Sequence, residues 1–447
     1  MTEEMKPSGI AWIGDIPAGW KVKKVKYVIQ NDADGIKVGP FGSALTNEVV
    51  SGEEGQYKIY GQANLIRKDF DYGDNFVTEE NYRRLINYEV LPDDIAVSMM
   101  GTIGKCSVVP HGIKPGIMDS HLIKIRLSNK MNPRFFEYVY ESCVVYEQLV
   151  VNSKGSIMNG LNSTIVKSVF LAVPLIDEQV AITDFLDAQC AKIDSVIEDI
   201  EKQIETLQKY KKSLITETVT KGLERSVPMK DSEIEWIGEI PSHWGTNRLR
   251  YVSSVKTGPF GTQLSADEYV DEGVPIINVK NIGYGSILAE DLDFVPETVA
   301  DRLSAHRLKT DDIVFGRKGA VDKHAIITDE YVNWVQGSDC IRVRSNPEID
   351  SGYLNYLFDS TYFGSYVMLY AVGATMPSMS SDILLNARIL VPPVHEQKDI
   401  ATYLDSQCGK INAIIANKQT QLDTIQSHRK SLIYEYVTGK KRVTEVN

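Results

Sequence analysis

The stretch WIGDIPAGW, from Trp12 to Trp20, returns as WIGEIPSHW from Trp236 to Trp244, displaced by 224 residues. Other pieces recur in the same order. GPFG at Gly39–Gly42 comes back at Gly258–Gly261, an offset of 219. Asp93-Asp94-Ile95 returns as Asp311-Asp312-Ile313, and VPLIDEQ (Val173–Gln179) as VPPVHEQ (Val391–Gln397). Phe185-Leu186-Asp187 matches Tyr403-Leu404-Asp405, and KKSLI (Lys211–Ile215) matches RKSLI (Arg429–Ile433); all four of these pairs stand at 218. The chain is therefore two copies of one unit of about 220 residues. Such a period means duplicated domains, because solenoid repeats run about 20–50 residues.

Each unit has two textures. Its first part is rich in Gly, Pro, Tyr and β-branched residues, in short runs broken by turn signals: YKIYGQANLI, DDIAVSMMGTIGKCSVV and HLIKIRL, then VPIINVKNI, DDIVFGRKGAVDKHAII and CIRVRSN. These read as short strands of a mixed, β-rich globular domain. Asn132–Val150 reads as one helix inside it, as does the counterpart from about Tyr353.

The second part is helical, starting near Asp177 with acids on the first turn. Ile193, Ile197, Ile200, Ile204, Leu207 and Leu214 recur at alternating four- and three-residue steps, with Lys211 between the last two. That is a heptad seam. The second copy repeats it through Ile411, Ile415, Lys418, Leu422, Ile425, Arg429 and Leu432, and Gly222 and Gly439 mark the helix ends. Heptads this long predict that the two helices pair with each other, as a spacer of roughly 65 Å at 1.5 Å per residue. The fold class expected is α+β: two repeated units, each a globular domain followed by a long helix. The boundaries are 1–173 and 223–391 for the globular domains, with 174–222 and 392–447 for the helices.

Composition narrows the function. The 447 residues are 43% hydrophobic and 24% charged, with no apolar run of the ~18–20 residues that span a bilayer. The start, MTEEMKPSGIAWIGD, has neither a basic nor an apolar leader region. The five cysteines are scattered, with no C-x-x-C pair, as expected of buried thiols in a cytoplasmic protein. A formal charge of −12 argues against a nucleic-acid binder if taken alone.

The motifs of catalysis are missing. There is no GxGxxG; GTIGKC at Gly101 lacks phosphate-loop spacing and reads as a turn between strands. HEQKD at His395 has no second histidine for a zinc site, and no GxSxG occurs. Asp93-Asp94 and Asp311-Asp312 could serve metal-dependent hydrolysis, but each pair precedes a strand with no E-x-K partner following at nuclease-like spacing, and turn capping suits them better. The chain is expected to be non-catalytic, with neither metal nor cofactor. Two reading-size domains set apart by helices suit a ligand in two parts, such as a DNA site with separated segments.

On these residues the chain resembles the specificity subunits of type I restriction-modification systems. The paired WIGxIPxxW boxes, GPFGSAL and GPFGTQL, the GTIGK turn, VPLIDEQVAITDFLD and VPPVHEQKDIATYLD, and YKKSLI and HRKSLI carry the likeness across nearly the whole chain. The resemblance implies two target recognition domains reading the halves of an interrupted, asymmetric DNA sequence. It also implies two helices paired as an antiparallel coiled coil. Two methyltransferase subunits would dock on the helices and methylate adenine from S-adenosylmethionine. Restriction subunits would add ATP- and Mg2+-dependent translocation and cleavage.

Base edges are read by Arg, Lys, Asn and Gln, whereas phosphates need cations, amides and hydroxyls. In the first domain the candidates are Lys37, Ser43, Gln62, Asn64, Lys105, Ser120, His121, Ser156 and Asn159. In the second they are Gln263, Lys280, Asn281, Arg317, Lys318, Lys323, His324 and Ser338. Asp322, standing where the first copy has Gly104, is awkward beside a phosphate. Lys21, Lys23, Lys24 and Lys26 read as a strand face, and the box tryptophans as structural. The first helix nets −3 between Glu178 and Lys221, a surface for protein rather than DNA. Weak, salt-sensitive DNA binding is therefore expected of the chain alone. Two rival readings are a complete nuclease or methyltransferase, and a coiled-coil scaffold joining two protein partners without touching DNA.

Overall fold

A computed structural model of the chain describes residues 4–30, 34–40, 42–45, 49, 56–101, 103–153, 161–234, 237–319, 321–371 and 378–443. The chain divides into two compact units, residues 1–200 with 421–447, and residues 201–420. Each thus holds one globular domain, the beginning of its own long helix and the end of the other one.

In the first unit a four-stranded antiparallel sheet runs in the order Ile36–Val38, Leu122–Ile125, Ile95–Ser98, Cys106–Val108. A second sheet places Tyr57–Tyr60 between Phe76–Val77 and Gly116–Met118, parallel to the latter. In the second unit the larger sheet runs Ser253–Thr257, Cys340–Ser345, Ile313–Gly316, His324–Ile326, with Tyr284–Gly285 added as a fifth, parallel strand. Val274–Ile277 sits between Asp293–Val295 and Val335–Gln336 in the smaller one. Lys21–Lys24 pairs with Phe170–Val173, so Lys21 and Lys23 share one face of a strand, while Lys24 points to the other and Lys26 lies in the short turn that follows.

The long helices are Ile176–Lys221 and Val394–Val437. All the seam positions are at least half shielded, while most positions between them are exposed. In the first unit Arg429 donates to Asp194 Oδ1 at 2.7 Å, and Phe185 meets Tyr436 at 4.5 Å between ring centres. One helix therefore ascends as the other descends. In the second unit Lys211 donates to Asn412 Oδ1 at 3.0 Å, the same place in the repeat with Asp and Arg exchanged for Asn and Lys. Lys211 and Arg429, two of the three cations that interrupt the heptads, lie at the seam and reach across it.

The repeated motifs explain themselves as joints. In the first unit Trp20 is 1% exposed and donates Nε1 to Glu178 at 3.0 Å; in the second, Trp244 donates to Glu396 at 2.9 Å. The next residue, Gln179 or Gln397, is fully buried at the foot of the helix. Gln179 Oε1 accepts from Asn132 N–H at 2.8 Å and its amide donates to Lys130 and Pro174 carbonyls; Gln397 does the same with Asp350, Glu348 and Pro392. Gly439 (φ 72°) passes so close to Pro17 that a Cβ would fall 2.4 Å from its Cδ, and Gly222 (φ 73°) lies similarly over Trp244.

Asn132–Val150 is two helices, Pro133–Glu141 and Cys143–Ser153, where one was expected. Ser142 leaves helical geometry at ψ 159° and spends its hydroxyl on Val139 O. Ser360 breaks Ser351–Asp359 from Thr361–Tyr370 in the same way, because a serine hydroxyl competes with the helical ladder for backbone groups.

Asp94 and Asp312 are fold determinants. Each is buried and takes two hydrogen bonds from an arginine of the neighbouring antiparallel strand or its end, Arg126 or Arg344, and one from the backbone N–H of Leu91 or Lys309. Asp93 and Asp311 turn the chain at φ 67° and 69°.

Candidate nucleic-acid interface

In each unit four loops meet at one end of the sheets. In the first, Gly39 N–H donates to Leu122 O, Met99 N–H to His121 O, and Leu161 N–H to Met99 O. Gln62 donates Nε2 to Ser98 Oγ and Met100 O, both at 2.7 Å, tying the helix it opens to the GTIGK turn. Gly39 lies against Asp119, with no room for a Cβ. In the second unit Gly258 lies the same way against Gly337, Arg317 N–H donates to Asp339 O, and Met379 N–H to Arg317 O. The loop ends that hold the sequence candidates are thus gathered twice, by equivalent bonds.

Within this cluster the candidates divide. Lys105 and His121 are exposed, and Ser120 is half-buried with its hydroxyl 3.4 Å from His121 Nδ1. Burial raises the Asp119 carboxyl, and the backbone and ring of His121 pull it back. Lys37 is half-buried on its strand and pairs with Asp34 at 3.3 Å. In the second unit Gln263 is exposed and Ser338 and Arg317 are half-buried; Arg317 Nε has no hydrogen-bond partner among the described residues. Lys318 pairs with Asp339 at 3.2 Å, and Lys280 with Asp291 and Asp293, whose hydrogen bonds raise its pKa.

Three candidates face inward. Asn64 accepts from Gly61 N–H and donates to Asp69 and Tyr72 carbonyls; Asn281 accepts from Asn278 N–H and donates to Leu288 and Glu290 carbonyls. Both organise the loop that follows and leave no edge for a base. His324 is 1% exposed, stacked on Phe315, with Nε2 at 3.2 Å from Asn355 O; it belongs to the core. Ser156 and Asn159 lie outside the described residues, as does the side chain of Ser43.

Asp322 is less awkward than its charge suggests. Tyr284 donates its hydroxyl to Asp322 Oδ2 at 3.2 Å, and Lys323 stands 5.5 Å over the Tyr284 ring. Phe260 and Tyr284 were missing from the sequence candidates, yet are 58% and 66% exposed on these loops. Exposed rings there can stack on bases or meet a thymine methyl. The available signal was Phe260's place inside the repeated GPFG.

The family model for the type I restriction modification DNA specificity domain matches residues 45–206 and again residues 241–424. The chain belongs to this family. Its relatives include the type I restriction enzyme MjaVIII specificity subunit of Methanocaldococcus jannaschii, 28% identical over 75% of this chain and 76% of the relative. The type I restriction enzyme EcoBI specificity subunit of Escherichia coli is 22% identical over 79% and 74%. A solved structure from a study of complex assembly and conformational transition of the type I R-M system shares the fold. It has a TM-score of 0.66 at 13% identity, covering 95% of this chain and 99% of that one. Membership in the specificity family implies DNA target recognition. Among the described residues no helix is long and apolar enough to cross a membrane, and no group of three metal-ligating side chains is gathered.

Proposed function

We propose that this chain reads an interrupted, asymmetric site on double-stranded DNA, one half with the loop cluster of each unit. The observation that carries the reading is the twofold gathering of the same four loops, in units that each match the specificity domain. The contact residues are Lys37, Gln62, Lys105, Ser120 and His121 in the first unit, and Gln263, Lys280, Arg317, Lys318, Lys323 and Ser338 in the second. Phosphates would be met by the cations and hydroxyls, and base edges by Arg, Lys and Gln.

The chain itself is non-catalytic in this reading. It docks two methyltransferase subunits and the restriction subunits, and the long helices serve as their platform and as the spacer between half-sites. S-adenosylmethionine, ATP and Mg2+ belong to those partners, in the cytoplasm. The surplus of acids on the first helix suits protein docking, and DNA affinity rises once the partners enclose the duplex.

The test is the methylome of a methylation-free host that expresses the chain with its neighbouring methyltransferase. Modified adenines in one interrupted, asymmetric motif are expected, and exchanging residues 23–172 should change one half of the motif only. A stable complex without modification would point instead to a scaffold.

A further inference from the structure

In the second unit Lys256 stands opposite Arg342 where Ser253–Thr257 pairs with Cys340–Ser345. Gln336 donates Nε2 to Lys256 O at 2.9 Å and to Cys340 O at 3.0 Å. His306, 6% exposed, ends the short turn after the Glu297–Arg302 helix. Lys256 and His306 line an open cavity of about 510 Å3, rimmed by Gly258, Phe260, Gln263 and Arg302 of the loop cluster.

Two features mark this cavity. First, of the eight buried side-chain polar atoms without a hydrogen-bond partner among the described residues, one, His306 Nδ1, belongs to the cavity lining, and two more belong to neighbours of Lys256: Gln336, which bonds its carbonyl, and Arg342, its cross-strand partner. The Gln336 side chain interacts with the His306 ring, and Arg342 Nε is 3.9 Å from Asp312, too far for a hydrogen bond. Buried polar groups are normally satisfied, so a buried ring with an unpartnered nitrogen in the cavity lining points to a missing partner. Second, the charge runs one way. No acid lines the cavity. Arg302 is held by Glu268 and Arg342 lies near Asp312, but no carboxylate among the described residues pairs with Lys256. Burial, helped by Lys256 and Arg342, pushes the His306 ring down to about 4, so it is neutral near pH 7.

The first unit lacks all of this at the equivalent positions. There Lys37 is paired with Asp34, and Tyr88, Met118 and Lys124 replace His306, Gln336 and Arg342. Lys124 donates to Glu89 O at 2.6 Å. The histidine of the cavity lining and the polar neighbours of Lys256 are a specialisation of one half of the duplication.

We propose that this cavity is a phosphate-binding site, with Lys256 as its cation and His306 as a second donor to the phosphate oxygens. A backbone phosphate of DNA and a free phosphate ion share this chemistry. Assigning the group to DNA rests on the function proposed above, whereas the site itself does not.

The test uses the full chain labelled with 15N-histidine, titrated with inorganic phosphate and then with a random-sequence duplex. The His306 ring signal, identified by its loss in His306→Gln, should shift with phosphate, and its titration midpoint should rise. Lys256→Gln should abolish the shift and Lys256→Arg restore it, with the other six histidines unmoved as the check on folding. If the phosphate is DNA's, the duplex reproduces the shift, and Lys256→Gln lowers the log–log salt slope of duplex binding by about 0.9. A shift with inorganic phosphate that the duplex neither reproduces nor displaces assigns the site to the free ion. No His306 shift with either probe overturns the site. A phosphate shift without any duplex binding overturns the DNA reading and leaves the site standing.

Discussion

Replacing Asp312 by Asn separates a structural carboxylate from a chemical one. Asp312 is fully buried and accepts from Arg344 Nε and Nη2, both at 2.6 Å, and from Lys309 N–H at 2.8 Å. Asparagine keeps one acceptor but turns an N–H2 toward donors and leaves Arg344 without its counter-charge. Removing one partner of a buried pair costs about 3–5 kcal/mol. The Arg344 side chain is 31% exposed and can recover part of its hydration, which favours the lower end, about 3 kcal/mol. With a urea dependence of about 2 kcal/mol per molar, the midpoint falls by about 1.5 M. Urea melts measure this, with amide exchange in Ile313–Gly316 assigning the loss to the second unit. The apolar pair Asp312→Leu with Arg344→Met should regain part of it, because Arg344 is then not left unpaired, while the buried Arg342 still loses its nearby carboxylate. A change below about 0.5 kcal/mol, accompanied by loss of methylation in the assembled complex, would refute the structural role and revive a catalytic one.

Gly439→Ala should cost about 1–3 kcal/mol in thermal melts, since φ 72° is strained for alanine and its Cβ would collide with Pro17. Asn64→Ala should lower stability by about 1–3 kcal/mol through its orphaned loop groups yet leave the methylated motif unchanged, because the side chain faces no base. His306 is depressed to about 4 from the ordinary 6.5, so between those values the unfolded chain binds a proton that the folded one does not. Stability is therefore expected to be fully present above pH 6.5 and to fall as pH drops toward 4; His306→Gln should flatten that part of the profile in melts at pH 7 and pH 5.

The candidate site was legible only by neighbourhood. Gln62, Ser120, His121 and Lys105 do converge, because turns beside strand ends land at one edge of a sheet. Residue type could not tell a reader from a brace. Asn64 and Asn281 have the chemistry of adenine recognition and spend it on their own loops. His324 looked like a loop donor because it stands beside a predicted loop, but it opens the strand His324–Ile326 and its ring is packed in the core. Phe260 and Tyr284 were passed over for the opposite reason: an aromatic ring in a short run reads as core until its exposure is known.

Duplication, the heptad seam and the absence of catalytic motifs are patterns along one dimension, and the sequence alone determined them. Repetition needs no partner to be seen, and a 3.5-residue period states which face of a helix is covered. What covers it was decided by tertiary structure. Arg429 meets Asp194 at a separation of 235 positions, and Lys211 meets Asn412 across 201. The end of each helix closes the core around the other copy's tryptophan box, with Ile433 and Val437 beside Trp20 and Ile215 and Val219 beside Trp244. Two copies with the same heptad seam offer similar apolar faces to each other and to themselves, so local pattern leaves the choice of partner open. Side-chain packing, the buried Glu–Trp joints and the glycines that admit close approach select it.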